Sequence, residues 1–210
     1  MAIITPTITA ENPHTYREQM ERVEPFAKRV HIDLMDGIFT PNKSVSTDQV
    51  WLPESITSDI HVMFQNPETV LEKLASLRPD TIIIPAEADF DLKSVLGLLR
   101  DAGVKLGLAV LPKTSIESLR NTISELDHLL IFSGNLGYQG GSHADLELLE
   151  KVAKARARNP QIKISWDGGV NDSNVQTLAA AGVDIINVGG YIHAALDPGL
   201  AYKTLTELLP

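Results

Sequence analysis

Short apolar runs alternate with longer amphipathic stretches along the whole chain. Each run is rich in Ile, Val or Leu and too short for a typical helix, which is characteristic of strands buried on both faces of a parallel sheet. The predicted strands are Ile3–Thr9, Arg29–Leu34, Ser58–Met63, Thr81–Pro85, Lys105–Val110, His128–Phe132, Lys163–Asp167 and Ile185–Val188.

The stretches between these strands carry helix start and stop signals. Asn66-Pro67-Glu68 offers an N-cap, a first-turn proline and a first-turn acid for a helix over Val70–Leu77. Gly103 and Gly182 each stand shortly before a predicted strand, where glycine supplies the left-handed residue that ends a helix. The alternation of strand and helix is therefore marked by local signals as well as by hydrophobicity.

Eight strands that alternate with helices predict an α/β fold with a parallel sheet, and the chain length suits a single (β/α)8 TIM barrel domain over residues 1–210. The second helix, Ser46–Leu52, is short because Pro53 stops it. A doubly wound open sheet is the alternative. It needs a glycine fingerprint after the first strand, and Thr9-Ala10-Glu11-Asn12 offers none.

Composition narrows the classes of function. Hydrophobic residues make up 43% of the chain and charged residues 21%, as in globular proteins. A net charge of −9 argues against nucleic-acid binding. The apolar runs are too short to cross a bilayer, and the first residues do not resemble a secretory leader. With no cysteine, disulfides and thiolate metal sites are excluded. These features favour a cytoplasmic protein with a small-molecule substrate and no membrane or nucleic-acid partner.

Four side chains suited to metal binding fall near the carboxyl ends of three predicted strands. Residues two apart on a strand share a face, so His31 and Asp33 point to one side, opposite their apolar neighbours. His61 lies near the end of the third strand and Asp167 ends the seventh. Barrel active sites are built at this end of the strands. Two imidazoles and two carboxylates suit Zn²⁺, Mn²⁺, Fe²⁺ or Co²⁺ without selecting among them.

A plainer interpretation is that each of these four residues is separately hydrogen-bonded in the core. Their convergence at three strand ends favours one divalent-metal site instead. Two unpaired carboxylates in a barrel interior would carry a large desolvation cost, which a cation removes in large part.

Three motifs around these residues resemble the ribulose-phosphate 3-epimerase family, and the resemblance runs nearly the whole chain in order. They are His31-Ile32-Asp33-Leu34-Met35-Asp36-Gly37, Asp59-Ile60-His61-Val62-Met63 with Asn66-Pro67, and Trp166-Asp167-Gly168-Gly169-Val170-Asn171. The resemblance implies that His31, Asp33, His61 and Asp167 hold the metal. It also implies that Asp33 and Asp167 are the catalytic acid and base on opposite faces of a planar enediolate.

The resemblance further implies a set of substrate-binding residues. Met35 and Met63 would supply an apolar floor under the substrate, or would simply be barrel core. Thr7 stands where the family has a serine in its opening strand. Phosphate would be bound by main-chain amides of glycine-rich turns. The matching turns are Gly137-Tyr138-Gln139-Gly140, Gly168-Gly169 and Gly189-Gly190.

Several residues depart from the family pattern around the presumed substrate. Gln139 replaces a glycine of the presumed phosphate loop, and would be strained if that position needs a positive φ. Pro85 replaces a common histidine, and Phe132 a third methionine. His193 falls in an altered segment after the last strand; like Tyr138, it is expected on the surface more than at the substrate. We therefore expect the catalytic residues to be retained, whereas the identity of the sugar substrate is left open.

These observations predict a metal-dependent ketose-phosphate 3-epimerase, an isomerase, with ribulose 5-phosphate and xylulose 5-phosphate as the default pair. The first alternative is a six-carbon ketose phosphate such as allulose 6-phosphate. The second is a catalytically inactive metal- or sugar-phosphate-binding barrel. A lyase or synthase is less favoured, because Lys163 and Lys105 do not lie at the carboxyl ends of their strands. The resemblance also implies a homo-oligomer, a dimer or a hexamer.

Overall fold

The strands form a closed, all-parallel barrel in chain order, with the first strand hydrogen-bonded to the last. The computed structural model describes residues 2–210, so Met1, where the predicted domain begins, lies outside the described residues. Closure confirms the predicted (β/α)8 TIM barrel and excludes the open-sheet alternative. The strands are β1 (Ile3–Thr9), β2 (Arg29–Met35), β3 (Thr57–Met63), β4 (Thr81–Pro85), β5 (Lys105–Val110), β6 (His128–Phe132), β7 (Lys163–Asp167) and β8 (Ile185–Val188).

Helices surround the barrel and cover its outer face. They are α1 (Pro13–Val23), α2 (Glu68–Ser76), α3 (Leu92–Asp101), α4 (Glu150–Arg158), α5 (Val175–Ala180), α6 (Gly190–His193) and α7 (Pro198–Glu207), with 3-10 turns at Ile116–Leu119, Ile123–Glu125 and Leu146–Leu149. Gly103 and Gly182 have φ values of 72° and 94°, so both are the left-handed residues predicted after a helix. The N-cap of α2 is Pro67, so the prediction of Asn66 as its N-cap is wrong.

The predicted helix Ser46–Leu52 is absent, and irregular chain joins β2 to β3 across this part of the described structure. This segment is fixed by specific contacts in place of helical ones. The amide of Val45 donates to the carbonyl of Ala10, and the hydroxyl of Tyr16 donates to the carbonyl of Trp51 at 2.7 Å. Pro53 and the short length leave too few residues for a stable helix, and packing against α1 takes its place.

The barrel interior is divided into an apolar and a polar part. Ile83, Ala109, Leu130 and Phe132, from β4, β5 and β6, form a small core inside the barrel. The much larger core lies between the strands and the helices. Most of the polar side chains buried inside the barrel lie on β1, β2, β3, β7 and β8. They include Thr5, Thr7, His31, Asp33, Asp59, His61, Ser165, Asp167 and Asn187.

Polar groups at the amino end of the barrel are paired with one another. Arg29 donates two hydrogen bonds of 2.6 Å to the buried carboxylate of Asp59. Lys105 donates to Asp80 at 2.8 Å, and Lys163 is largely exposed at the start of β7. Both lysines thus lie at the end of the barrel opposite the candidate site. Among the described helices, none combines the length and the apolar character needed to cross a membrane.

Candidate metal centre and active site

His31, Asp33, His61 and Asp167 meet at the carboxyl end of the barrel. Each offers one ligand atom, and these atoms all lie within 4.8 Å of one another. All four residues are buried. Strand register brings them together, because Asp33 on β2 pairs directly with His61 on β3. The structure therefore joins the four predicted metal ligands in one compact group that could hold a metal.

Within this group, several nitrogen atoms lack a protein partner. Nδ1 and Nε2 of His31 and Nε2 of His61 are buried and accept or donate no hydrogen bond among the described residues. Oδ1 of Asp33 lies 3.2 Å from Nδ1 of His61 and 3.3 Å from Nε2 of His31. The Thr9 hydroxyl donates to Oδ2 of Asp33 at 2.9 Å. Buried, unpaired imidazole nitrogens beside two carboxylates are the donor set that a divalent transition metal takes.

The two carboxyl groups have opposite protonation tendencies. Burial, and then the negative charge of Asp33, raise the pKa of Asp167 to about 7. Burial would also raise the pKa of Asp33, but contacts with His31 and His61 outweigh it and hold that pKa well below its ordinary value. A pair of carboxyl groups whose pKa values are pushed apart is the arrangement used for acid and base catalysis.

A cavity of about 230 Å³ opens above this group at the barrel mouth. Asp33 and Asp167 both line it, and Phe132 forms part of its wall. Every residue predicted from the sequence to bind substrate also lines this cavity. These are Thr7, Met35, Met63, Gly137, Tyr138, Gln139, Gly140, Gly168, Gly169, Gly189 and Gly190.

Gln139 adopts an ordinary backbone conformation, so the strain considered for this position is absent. The positive φ values of its loop fall on Gly137, Gly140 and Gly141 instead. The side chain of Gln139 turns toward β1, donating from Nε2 to the carbonyl of Thr7 at 3.1 Å. The loop after β6 is therefore anchored across the barrel mouth by this side chain.

Gln19 extends the same network to α1. Its Nε2 donates to Oε1 of Gln139 at 3.2 Å and to the carbonyl of Thr9 at 3.0 Å. The ring of His193 joins at the carbonyl of Thr7, with a distance of 2.8 Å from Nε2. His193 is thus half-buried behind the cavity wall, whereas Tyr138 is 60% exposed at its rim.

The glycine turn after β7 is required by close backbone contact. Gly168 and Gly169 have φ values of 113° and 71°. A Cβ atom at Gly168 would overlap the backbone of Gly134, and one at Gly169 would overlap the backbone of Ala144. The turn after β7 therefore packs directly against the loop after β6, and residues of both line the cavity.

Comparison with known proteins assigns the chain to a family. Residues 3–193 match the ribulose-phosphate 3 epimerase family. The chain is 32% identical to the ribulose-phosphate 3-epimerase of Helicobacter pylori over 215 aligned positions, covering 99% of this chain and 98% of that one. It is 28% identical to the ribulose-phosphate 3-epimerase of Aquifex aeolicus, covering 100% and 97%. The chain belongs to this family.

Family membership confirms the predicted class of enzyme: this epimerase is an isomerase. Its fold is also shared by more distant barrels. The solved 3-hexulose-6-phosphate synthase of Salmonella typhimurium superposes with a TM-score of 0.76 at 13% sequence identity, covering 99% of this chain and 98% of that one. At this identity the likeness concerns the fold alone.

Gln19 and Asn187 are among the residues of this epimerase's cavity region that the sequence analysis did not predict. Gln19 carries no sequence signal, because its role depends on where α1 packs. Asn187 lies inside the barrel on β8 and lines the cavity. It did carry a signal, since an asparagine within the apolar run Ile185–Val188 is unusual for a buried strand.

Proposed function

We propose that this protein is a metal-dependent ketose-phosphate 3-epimerase that interconverts ribulose 5-phosphate and xylulose 5-phosphate. The observation that carries this proposal is the pair of buried carboxyl groups, Asp33 and Asp167, lining one cavity beside unpartnered imidazole nitrogens. Family membership and full-length similarity to named ribulose-phosphate 3-epimerases support the choice of substrate.

The residues present fit a divalent cation. His31, Asp33, His61 and Asp167 would hold it, and their donor set suits Zn²⁺, Mn²⁺, Fe²⁺ or Co²⁺. When bound, such a cation supplies positive charge that polarises a ketone and neutralises a developing oxyanion. Burial strengthens this electrostatic effect because water is largely excluded from the group.

Proton transfer would be the work of the two aspartates. Inverting a carbon beside a ketone requires removal of its proton on one face and delivery of a proton to the other. The lowered pKa of Asp33 suits this carboxylate to act as the base, and the raised pKa of Asp167 suits that carboxyl group to act as the acid. In the reverse direction the two residues exchange roles, so each must be able to hold the proton.

The glycine turns would bind the phosphate group. Glycine residues of the turns after β6, β7 and β8 line the cavity, at Gly140, Gly169 and Gly190, and their backbone amides would be the donors. Main-chain amides bind phosphate without a lysine. This suits a chain with a net charge of −9. Thr7, Met35 and Met63 would line the sugar itself.

Solvent deuterium exchange into the substrate tests the proposal. Chelator-treated protein is assayed with ribulose 5-phosphate and with allulose 6-phosphate after addition of Mn²⁺, Zn²⁺, Fe²⁺ or Co²⁺. We expect metal-dependent exchange and epimerisation of ribulose 5-phosphate, and a smaller effect with the six-carbon substrate. Binding of metal with no exchange into either substrate would refute the proposal and favour an inactive binding barrel.

Asp167→Asn assigns the chemistry to the proposed residue. The variant should lose exchange by a factor of about 100 or more, because removal of a general acid or base has effects of this order. Asp172→Asn is a matched control, since Asp172 is an exposed carboxylate near the same turn. It should retain wild-type exchange. Exchange by Asp167→Asn at the wild-type rate would contradict the role given to Asp167.

A further inference from the structure

Asn187 presents a buried amide that no part of the described protein satisfies. Its side chain is inside the barrel with 1% of the residue exposed, and it lines the cavity. Neither Oδ1 nor Nδ2 has a hydrogen-bond partner among residues 2–210. Both a donor and an acceptor are therefore available at one point of the cavity wall.

Strand register places this amide beside the proposed catalytic group. Asn187 pairs with Asp167 on β7 and with Thr5 on β1. Thr7 follows two residues after Thr5, on the same face of β1, and its hydroxyl is also buried and unpartnered. Thr7 and Asn187 both line the cavity, and together they form what we call the hydroxyl wall.

On the opposite side of the barrel interior, the described residues offer no unpartnered amide or hydroxyl group. Ile83, Ala109, Leu130 and Phe132 make it apolar. A ligand that carries hydroxyl groups would therefore meet hydrogen-bonding partners on the hydroxyl wall and carbon atoms across from it.

An unpartnered amide inside a barrel is destabilising, because burial removes its hydrogen bonds to water. The other residues of β8 are Ile185, Ile186 and Val188, so the strand accepts apolar side chains readily. An amide that weakens the fold at this position points to a ligand that satisfies it. A sugar hydroxyl both donates and accepts, which matches the two free atoms of the amide.

We propose that Asn187 is a specificity-determining residue that binds one hydroxyl group of the ketose phosphate. This inference rests on the proposed function, since it takes the ligand to be a ketose phosphate. It adds a residue that determines which hydroxylated substrate is accepted, apart from the residues that move protons.

Asn187→Val removes both polar atoms while keeping a similar volume. We expect KM for ribulose 5-phosphate to rise about 10-fold, the effect of losing about one hydrogen bond to a substrate hydroxyl, with a smaller change in kcat. The melting temperature should rise by about 2–6 °C, because the variant no longer buries an unpaired amide. A merely structural asparagine would lower the melting temperature when replaced.

Monodeoxy analogues of a non-reacting pentitol 5-phosphate identify the interaction directly by calorimetric titration. Wild type should bind one deoxy analogue about 10-fold more weakly than the full pentitol, and Asn187→Val should not distinguish the two. Equal losses of affinity for every analogue in the variant would overturn the inference.

Thr5→Val is the matched control, because its hydroxyl is equally buried and unpartnered but does not line the cavity. It should keep the wild-type KM; a rise equal to that of Asn187→Val would overturn the inference.

If wild type epimerises ketose phosphates while Asn187→Val keeps the wild-type KM and the same preference among analogues, the Asn187 subsite is wrong. If wild type shows the analogue preference but turns over neither ketose phosphate, the proposed function fails and the subsite stands.

Discussion

Without a bound cation, the stability of this epimerase should depend strongly on pH, through Asp167. Burial and the charge of Asp33 raise the pKa of Asp167 to about 7, from an ordinary value of 3.8. The folded protein thus binds this proton more tightly than the unfolded chain does. The resulting stabilisation is complete below pH 3.8 and is lost as the pH rises through 7. The difference between the two pKa values corresponds to about 4 kcal/mol, of which about 2–3 kcal/mol falls between pH 5 and pH 8.

The other titratable groups of the cluster do not give the same pH dependence of stability. The lowered pKa of Asp33 keeps it ionised throughout this pH range, so its contribution is lost only at more acidic pH. Burial lowers the pKa of His61, whereas contacts with Asp33 raise the pKa of His31 against the effect of burial. These two histidines change stability in opposite directions near pH 6.5. A comparison with Asp167→Asn therefore measures the contribution of Asp167 together with its electrostatic coupling to Asp33 and His31.

The assay is urea unfolding of chelator-treated protein at pH 5 and at pH 8. Between pH 5 and pH 8, the free energy of unfolding should fall by about 2–3 kcal/mol more in wild type than in Asp167→Asn. Adding the divalent cation to wild type at pH 8 should restore the loss, because the cation binds the ionised carboxylate in the folded state only. An identical pH dependence in wild type and Asp167→Asn would refute the reasoning, provided that Asp172→Asn behaves as wild type.

Two further predictions concern the scaffold. Arg29→Met should reduce the free energy of unfolding by about 3 kcal/mol, because it leaves the buried carboxylate of Asp59 uncompensated. Lys105→Met, which breaks only the more exposed pair with Asp80, should cost less than about 1 kcal/mol, and equal losses in the two variants would contradict this distinction. Gln139→Ala should raise KM for ribulose 5-phosphate by about 5-fold with kcat nearly unchanged, because it removes a hydrogen-bond anchor of the loop after β6. An unchanged KM would show that the loop is held by its glycine contacts alone.

The fold and the ligand cluster were predictable because both follow from short-range rules. Strand parity places His31 and Asp33 on one face, and the closed barrel brings strand ends together. The direction of the Gln139 side chain was not predictable, because it depends on the carbonyl of Thr7, which lies far away in sequence. The same holds for Ser46–Leu52, where contacts with α1 replace a helix. Local patterns do not contain these long-range partners.

The two ends of the barrel differ in how their buried polar groups are satisfied. At the amino end, Asp59 is paired with Arg29, and the ring of His128 is hydrogen-bonded to Ser165 at 2.7 Å. Toward the carboxyl end, unpartnered buried atoms among the described residues include those of His31 and Asn187. Paired groups stabilise a fold, whereas unpaired ones destabilise it until something binds them. The paired polar groups of this barrel are therefore concentrated at one end, and the unpaired groups proposed to bind a cation and a hydroxylated ligand lie at the other.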